Sequence, residues 1–308
     1  MNTNDSCNAF ATVLREQGRY VVNVEGIEWY DYNGFMMPAY FPHCCPPITP
    51  DIARNVVKIS GRPFVRWDSR FGQFKNGQWW YVNHRQPWAV EQCSGNTRSK
   101  IKRGRKYLHA RMATIEEMSI QGYNVCEKAA QRYEKDVFLP SKLAFQKKLH
   151  AATHNPETFQ FFGVFCDEKL VGFSENYIQH GGVFWESIWY DPEFLRNYSS
   201  YVLTCEMLNH YLNMKKLEYV SDGGRSIFHR TAVQDFFLDK FGFRKEYALL
   251  NVVYSAKLRM AVQVTYPLRT IVWAFSNQFP TDVIDKVGGI LRQEYIRKEC
   301  EKQRISPQ

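Results

Sequence analysis

Between residues 158 and 190 apolar runs predominate, with turn residues at Asp167-Glu168 and at Gly181-Gly182. Short apolar runs between turn residues predict three consecutive strands, 159–166, 169–177 and 183–190, the last broken by Asp191-Pro192. Apolar positions then recur at helical spacing over about 198–213 and again over 231–241. Short strands are predicted near 218–221 and at 248–255. Upstream, 20–24 and 27–32 read as strands, with Asn33-Gly34 as a hairpin turn. Pro42, Pro46, Pro47 and Pro50 make a loop, and Thr49 caps a helix to about Ile59. Further strands are predicted at 63–67, 78–82 and 108–112. A basic helix is expected at 91–107, another opening at Thr114 and running to about Tyr133, and one at 141–150. Tyr266 to about Lys302 predicts two closing helices separated near Pro280, and the first 15 or so residues are expected to be irregular.

One phrase is more specific than the rest. In Phe236-Phe237-Leu238-Asp239-Lys240-Phe241-Gly242-Phe243 a helical face stops on a glycine and turns straight into a strand, as in an α/β layer. The phrase resembles the F-Y-x-K-x-G-F segment of the GNAT acyltransferase superfamily. The predicted element order over 158–255 (three strands, helix, strand, helix, strand) is that expected of the GNAT core. The basic run Asn96-Thr97-Arg98-Ser99-Lys100-Ile101-Lys102-Arg103-Gly104-Arg105-Lys106 resembles the basic helix of Fem-type transferases. That branch carries two GNAT units and adds amino acids to peptidoglycan precursors from aminoacyl-tRNA.

The resemblance implies an α/β fold with a GNAT-like mixed sheet flanked by helices, as one unit or as two fused units. The expected domains are a degenerate GNAT-like half over 1–135, a catalytic core over 136–260 and closing helices over 261–308. It implies an N-acyltransferase moving an acyl or aminoacyl group to an amine acceptor, the donor being acyl-CoA or aminoacyl-tRNA. Two alternatives stay open: an ordinary acetyl- or acyl-CoA-dependent enzyme, and a non-catalytic module that binds RNA or an anionic surface. The chain departs from the family pattern twice. Where CoA-dependent members carry a glycine loop for the pyrophosphate, the segment from Asp191 to Ser200 has no glycine, so Arg196, Tyr198, Ser199 and Ser200 are the residues left to meet a phosphate. Where many members place a tyrosine general acid, the chain has Leu238.

Acyl transfer to an amine needs a proton acceptor and a polarised carbonyl. Glu186, in the centre of an apolar strand beside Phe184 and Ile188, is a candidate carboxylate expected to be buried. Asp222, Arg225, Ser226 and His229 follow the predicted strand at 218–221, where ligands of open α/β sheets gather. Glu186, Asp222 and His229 are therefore the expected catalytic groups, and Glu175, Tyr190, Arg225 and Ser226 the expected substrate contacts. On the basic helix, Arg98, Lys102, Arg105 and Lys106 share a side and, with Arg103, form a candidate phosphate or tRNA surface.

Composition narrows this picture only a little. Lys and Arg outnumber Asp and Glu by 40 to 31, a net charge of +9, which favours an anionic partner. No apolar run reaches the roughly 18 residues of a membrane span, and Met1-Asn2-Thr3-Asn4 does not open a secretion signal, so a soluble cytoplasmic protein is expected. The eight cysteines include no C-x-x-C pair. They are expected to be free thiols, and neither they nor His43-Cys44-Cys45 suggest a metal site.

Overall fold

The computed structural model describes residues 3–132, 139–227, 232–278 and 282–305. The chain opens not with irregular structure but with helix α1 (Thr3–Glu16). Phe10, Val13 and Leu14, at spacings of three and four, put an apolar stripe into the core. Strands β1 (Val21–Val24), β2 (Ile27–Tyr32) and β3 (Phe35–Pro38) form a meander whose second turn is the expected Asn33-Gly34, both residues left-handed. Helix α2 (Pro50–Ser60) is capped by Thr49, whose hydroxyl accepts from the Ile52 N–H. Strands β4 (Phe64–Phe74) and β5 (Trp80–Arg85) follow, then the basic helix α3 (Gly95–Gly104), shorter than expected, and β6 (His109–Met112).

Thr114 and Glu117 form a reciprocal capping box at the start of α4 (Ile115–Glu117). This turn runs through a π-helical stretch, Met118–Gly122, into α5 (Tyr123–Gln131). Helix α6 (Lys142–His154) is capped by Ser141. Strands β7 (Phe159–Cys166), β8 (Lys169–Gln179) and β9 (Gly182–Tyr190) are the three predicted from the apolar runs. A 3₁₀ turn (Pro192–Asn197) leads into α7 (Ser199–Leu208), continued by a second π-helical stretch, Asn209–Met214. Then come β10 (Tyr219–Gly224), α8 (Ala232–Phe241) and β11 (Arg244–Tyr254). Gly242, at φ +71°, takes the left-handed turn between α8 and β11, and the Phe243 N–H reaches back to the Phe237 carbonyl. Helices α9 (Ala256–Thr265), α10 (Arg269–Gln278) and α11 (Asp282–Ile305) close the chain. No helix among the described residues is long and apolar enough to cross a membrane.

Two compact units share these elements, each built from separated stretches. The first comprises Met1–Arg19, Val82–Gly223 and Gln234–Arg244, and the second Tyr20–Tyr81, Gly224–Val233 and Lys245–Gln308. In the first unit the strand order is β10-β9-β8-β7-β6, with residues 82–85 of β5 beside β10. The β6–β9 ladder is antiparallel, while β10 runs parallel to β9. Phe173 and Tyr177 of β8 meet Phe145 of α6 and Phe10 of α1, so these helices cover one face. The opposite face carries α8, whose Phe237 packs on Trp185. In the second unit α2 packs on β1–β4 around Trp29, Met36, Val65 and Trp67. Strand β11 joins β4 antiparallel in that unit.

Candidate active site

Parallel strands β9 and β10 pair over three residues only, Tyr219 with Gly182, Val220 with Val183 and Ser221 with Phe184. The ladder goes no further, although β9 continues to Tyr190 and β10 to Gly224. Just past the last pair, β9 carries a bulge. Asn176 of β8 faces Trp185 and Glu175 faces Ser187, which leaves Glu186 as the extra residue. A bulge of this kind increases local twist and bends the strand, and here it lies where the neighbouring strand departs. Gly223, at φ +89°, turns the end of β10, and its N–H is held by the Ser221 hydroxyl.

Two candidate side chains lie on the strands that part, Tyr190 on β9 and Asp222 on β10. Tyr190, the last residue of β9, lies opposite Gly172 of β8, where a Cβ would come within 2.7 Å of its ring. The missing side chain at 172 thus makes room for the tyrosine. Burial pushes the Tyr190 hydroxyl upward, the nearby Thr204 hydroxyl of α7 pulls it back, and the Asp222 charge pushes it up again. It remains a protonated donor at neutral pH. Asp222 keeps part of its surface accessible but is closely crowded by protein. Desolvation pushes its carboxyl up to about 8, against a hydrogen bond from the Gln234 amide of α8. A titratable acid on β10 and a phenol on β9 are therefore within electrostatic reach of one another across the split strands, and Gln234 of α8 bonds the acid. Thr204 and Gln234 have no signature in the sequence, because each is a single polar residue on an otherwise ordinary helix.

Glu186 belongs to a different environment. Its expected alternation with Ile188 fails at the bulge, since Ile188 faces Ser174 while Glu186 has no register partner on β8. Nor is the side chain enclosed: it is about a quarter exposed and accepts from Arg19 Nη2 at 3.0 Å. Glu175 is fully buried and takes a 2.5 Å bond from Lys148 Nζ of α6. Both carboxylates thus carry a cation of their own. Arg225 is committed within the second unit, where its guanidinium donates to the Gln78 backbone carbonyl at 2.7 Å and to the Gln78 side chain. Ser226 lies on the same segment of that unit. His229 lies outside the described residues.

The loop before α7 is closely built. Asp191 caps the 3₁₀ turn through the Glu193 N–H and takes a 2.8 Å bond from Lys128 Nζ of α5, so its charge is compensated inside the fold. Tyr198, at φ +65°, occupies the N-cap of α7 in a left-handed conformation that glycine would adopt with less strain. Ser199 is fully buried with no hydrogen-bond partner for its hydroxyl, Ser200 is half-buried, and Arg196 is exposed. Gly104 of α3 presses against this loop; a Cβ there would stand 3.1 Å from the Asn197 carbonyl oxygen and 2.6 Å from Val202. The residues at hand offer an anion one arginine and two hydroxyls, without the bare glycine amides of a CoA pyrophosphate loop.

Helix α3 divides its cations between two jobs. Arg105 turns to α7 and binds Glu206, and Lys100 donates to the Tyr201 hydroxyl at 3.2 Å. Arg105, expected on the basic side with Arg98, Lys102 and Lys106, is thus tied to Glu206 while part of it stays exposed. Arg98 is exposed but donates to the Glu91 carbonyl, whereas Lys102, Arg103 and Lys106 project into solvent.

In the second unit a cavity of about 680 Å³ lies against β4, β11 and α11. Apart from the exposed Arg70, its charged groups are already engaged. Asp68 receives Trp79 Nε1 and the Tyr81 hydroxyl, Arg297 binds Glu294 and Glu301, and Arg304 donates to Asn251.

No protein-family model and no curated protein matches this sequence. Solved structures do match its fold. The C-terminal domain (DUF2156) of a protein from Agrobacterium fabrum, named as a lysylphosphatidylglycerol synthetase, superposes with a TM-score of 0.53 at 12% identity, over 83% of this chain and 90% of that one. FemX gives 0.53 at 9% identity, over 80% and 96%. A conserved protein of unknown function from Bacteroides thetaiotaomicron gives 0.50 at 11%, over 81% and 92%. The chain therefore has the GNAT-like fold that the Gly242 phrase pointed to, and shares it with FemX over most of both chains.

Proposed function

We propose that the protein is an N-acyltransferase that moves an acyl or aminoacyl group from an activated ester or thioester to an amine. The observation that carries this reading is the parting of β9 and β10, with Asp222 on one strand and Tyr190 on the other within reach of its charge. In this reading the amine nitrogen attacks the donor carbonyl carbon and forms the C–N bond. Its proton passes to the Asp222 carboxylate. The tetrahedral oxyanion is held by donors at the parting, the Tyr190 hydroxyl among them, in a setting where preorganised donors count for most. Collapse breaks the C–O or C–S bond, and the leaving oxygen or sulfur takes the proton from Asp222. A carboxyl near 8 suits both halves of that exchange at neutral pH.

Two features support an aminoacyl-tRNA donor in this reading, the loop before α7 and the face of α3. An acyl-CoA pyrophosphate finds no glycine amides there, while Lys102, Arg103 and Lys106 present an exposed basic edge that suits a polyanionic donor such as aminoacyl-tRNA. Incubating the full chain with labelled aminoacyl-tRNA, and separately with labelled acetyl-CoA, against a panel of amines tests the reading. Transfer is expected from the tRNA donor, lowered on the order of 10²-fold or more in Asp222→Asn and less in Tyr190→Phe. Unchanged rates in both variants, or no transfer from either donor, would sink it.

A further inference from the structure

His150 and His154 lie one turn apart on the last two turns of α6, the i,i+4 spacing that aims two side chains the same way. Their rings stand 4.2 Å apart between centroids. Glu16, the last residue of α1, faces them from the neighbouring helix, and one ligand atom from each of the three lies within 4.8 Å of the other two. Both histidines are exposed and Glu16 is half-buried, so solvent reaches the site.

The surroundings select a ligand geometry. His154 Nδ1 stands 2.9 Å from the His150 carbonyl oxygen, which can only accept, so Nδ1 carries the proton and Nε2 keeps its lone pair. This is the support that metal-bound histidines usually have, a donated N–H fixing the tautomer and the ring. Asn155 Nδ2 donates to one oxygen of Glu16 at 2.8 Å and steadies the carboxylate. Two imidazoles and a carboxylate suit zinc and its transition-metal neighbours, whereas magnesium and calcium favour all-oxygen sets. A tetrahedral zinc with bonds of about 2.0–2.1 Å needs its ligands roughly 3.4 Å apart. The present ligand atoms, within 4.8 Å of one another, stand near that spacing.

We propose that Glu16, His150 and His154 form a zinc site, with water as fourth ligand, that fastens α1 to α6. The chain leaving Glu16 runs directly towards the bulge of β9. Gln17 accepts from the Tyr177 hydroxyl at 2.6 Å, and Arg19 binds Glu186. A metal at Glu16 would therefore pin the segment that holds Glu186. The proposal does not rest on the reaction assigned above.

Titrating zinc chloride into the chelator-stripped full chain, with magnesium chloride as control, tests it. Wild type should bind one zinc ion and melt at a higher temperature with it, and magnesium should do neither. The double variant His150→Ala/His154→Ala should lose this binding. Asn155→Ala should weaken it by about 10- to 100-fold. Glu16→Gln should abolish the rise in melting temperature, because it cuts the link between the helices. All three ligands are accessible, so these variants should fold. Cobalt added in place of zinc should give the intense visible absorption of a four-coordinate centre. Three results would overturn the proposal: no zinc binding by wild type, equal binding by the double histidine variant, or a melting shift that survives Glu16→Gln.

Discussion

Asp222 shows how far one residue's environment decides its use. Its folded pKa lies above the ordinary carboxylate value, so the folded state holds the proton more tightly than the unfolded chain. That contribution to stability is complete below about pH 4, declines as pH rises, and is fully lost above about 8. Asp222→Asn keeps the shape and never ionises. It should therefore melt above wild type at pH 9, with the gap shrinking towards pH 5, as read by calorimetry across that range. Activity should run the other way. Wild-type kcat/KM should rise about tenfold per pH unit below the Asp222 pKa and level off above it, while Asp222→Asn should be slow and flat. A variant more stable yet less active is the mark of a group kept for chemistry. The carboxylate at 222 was legible in the sequence from its place after a strand. The apolar flanks of Glu186 predict burial, but they carry no sign that the strand bulges there and that Arg19, from a distant stretch, meets the carboxylate.

At the scale of elements, local signals served well wherever structure is decided locally. Thr49 and Thr114 cap the helices expected of them, Gly242 makes its left-handed stop, and the apolar runs of β7, β8 and β9 stand where the turn residues bound them. Helix α1 escaped because its first turns are polar and its apolar stripe is short. The division of labour on α3 escaped for another reason, since Arg105 is indistinguishable from its neighbours until α7 is beside it. Gly104 is the hinge of that packing. Gly104→Ala would place a methyl within 2.6 Å of Val202, and its own backbone angles give no strain to relieve. Overpacking of this kind typically costs about 1–3 kcal/mol. We expect a lower melting temperature and faster hydrogen exchange in α3 and the first turn of α7.

For the molecule as a whole, a net charge of +9 predicts attraction to any polyanion, so specificity has to be separated from bulk charge. Lys102→Glu/Lys106→Glu and Lys257→Glu/Arg259→Glu change the net charge equally, the first pair exposed on α3 and the turn just after it, the second on exposed positions of α9. If α3 is the donor surface, the first variant should bind tRNA more weakly and lower the slope of log K against log salt by about 2. The second should change neither by much. Equal effects from both would reduce the basic helix to a share of the overall field. How the two units interleave had no local sign in the sequence, because it depends on which distant stretches pack together.

The wide turn at Met118–Gly122 acts as a spacer between two fixed fastenings. Upstream, the capping box and the Arg111–Glu117 pair hold the start of the helix. Downstream, Lys128 must reach Asp191. An ordinary α-helix turns roughly 100° per residue, so the extra residue in the π turn sets the rotational phase with which α5 arrives. Deleting Ile120, an exposed residue in that turn, would let the helix close up as regular α and swing Lys128 away from its partner. Asp191, then buried without a counter-ion, would weaken the cap of the turn that leads into α7.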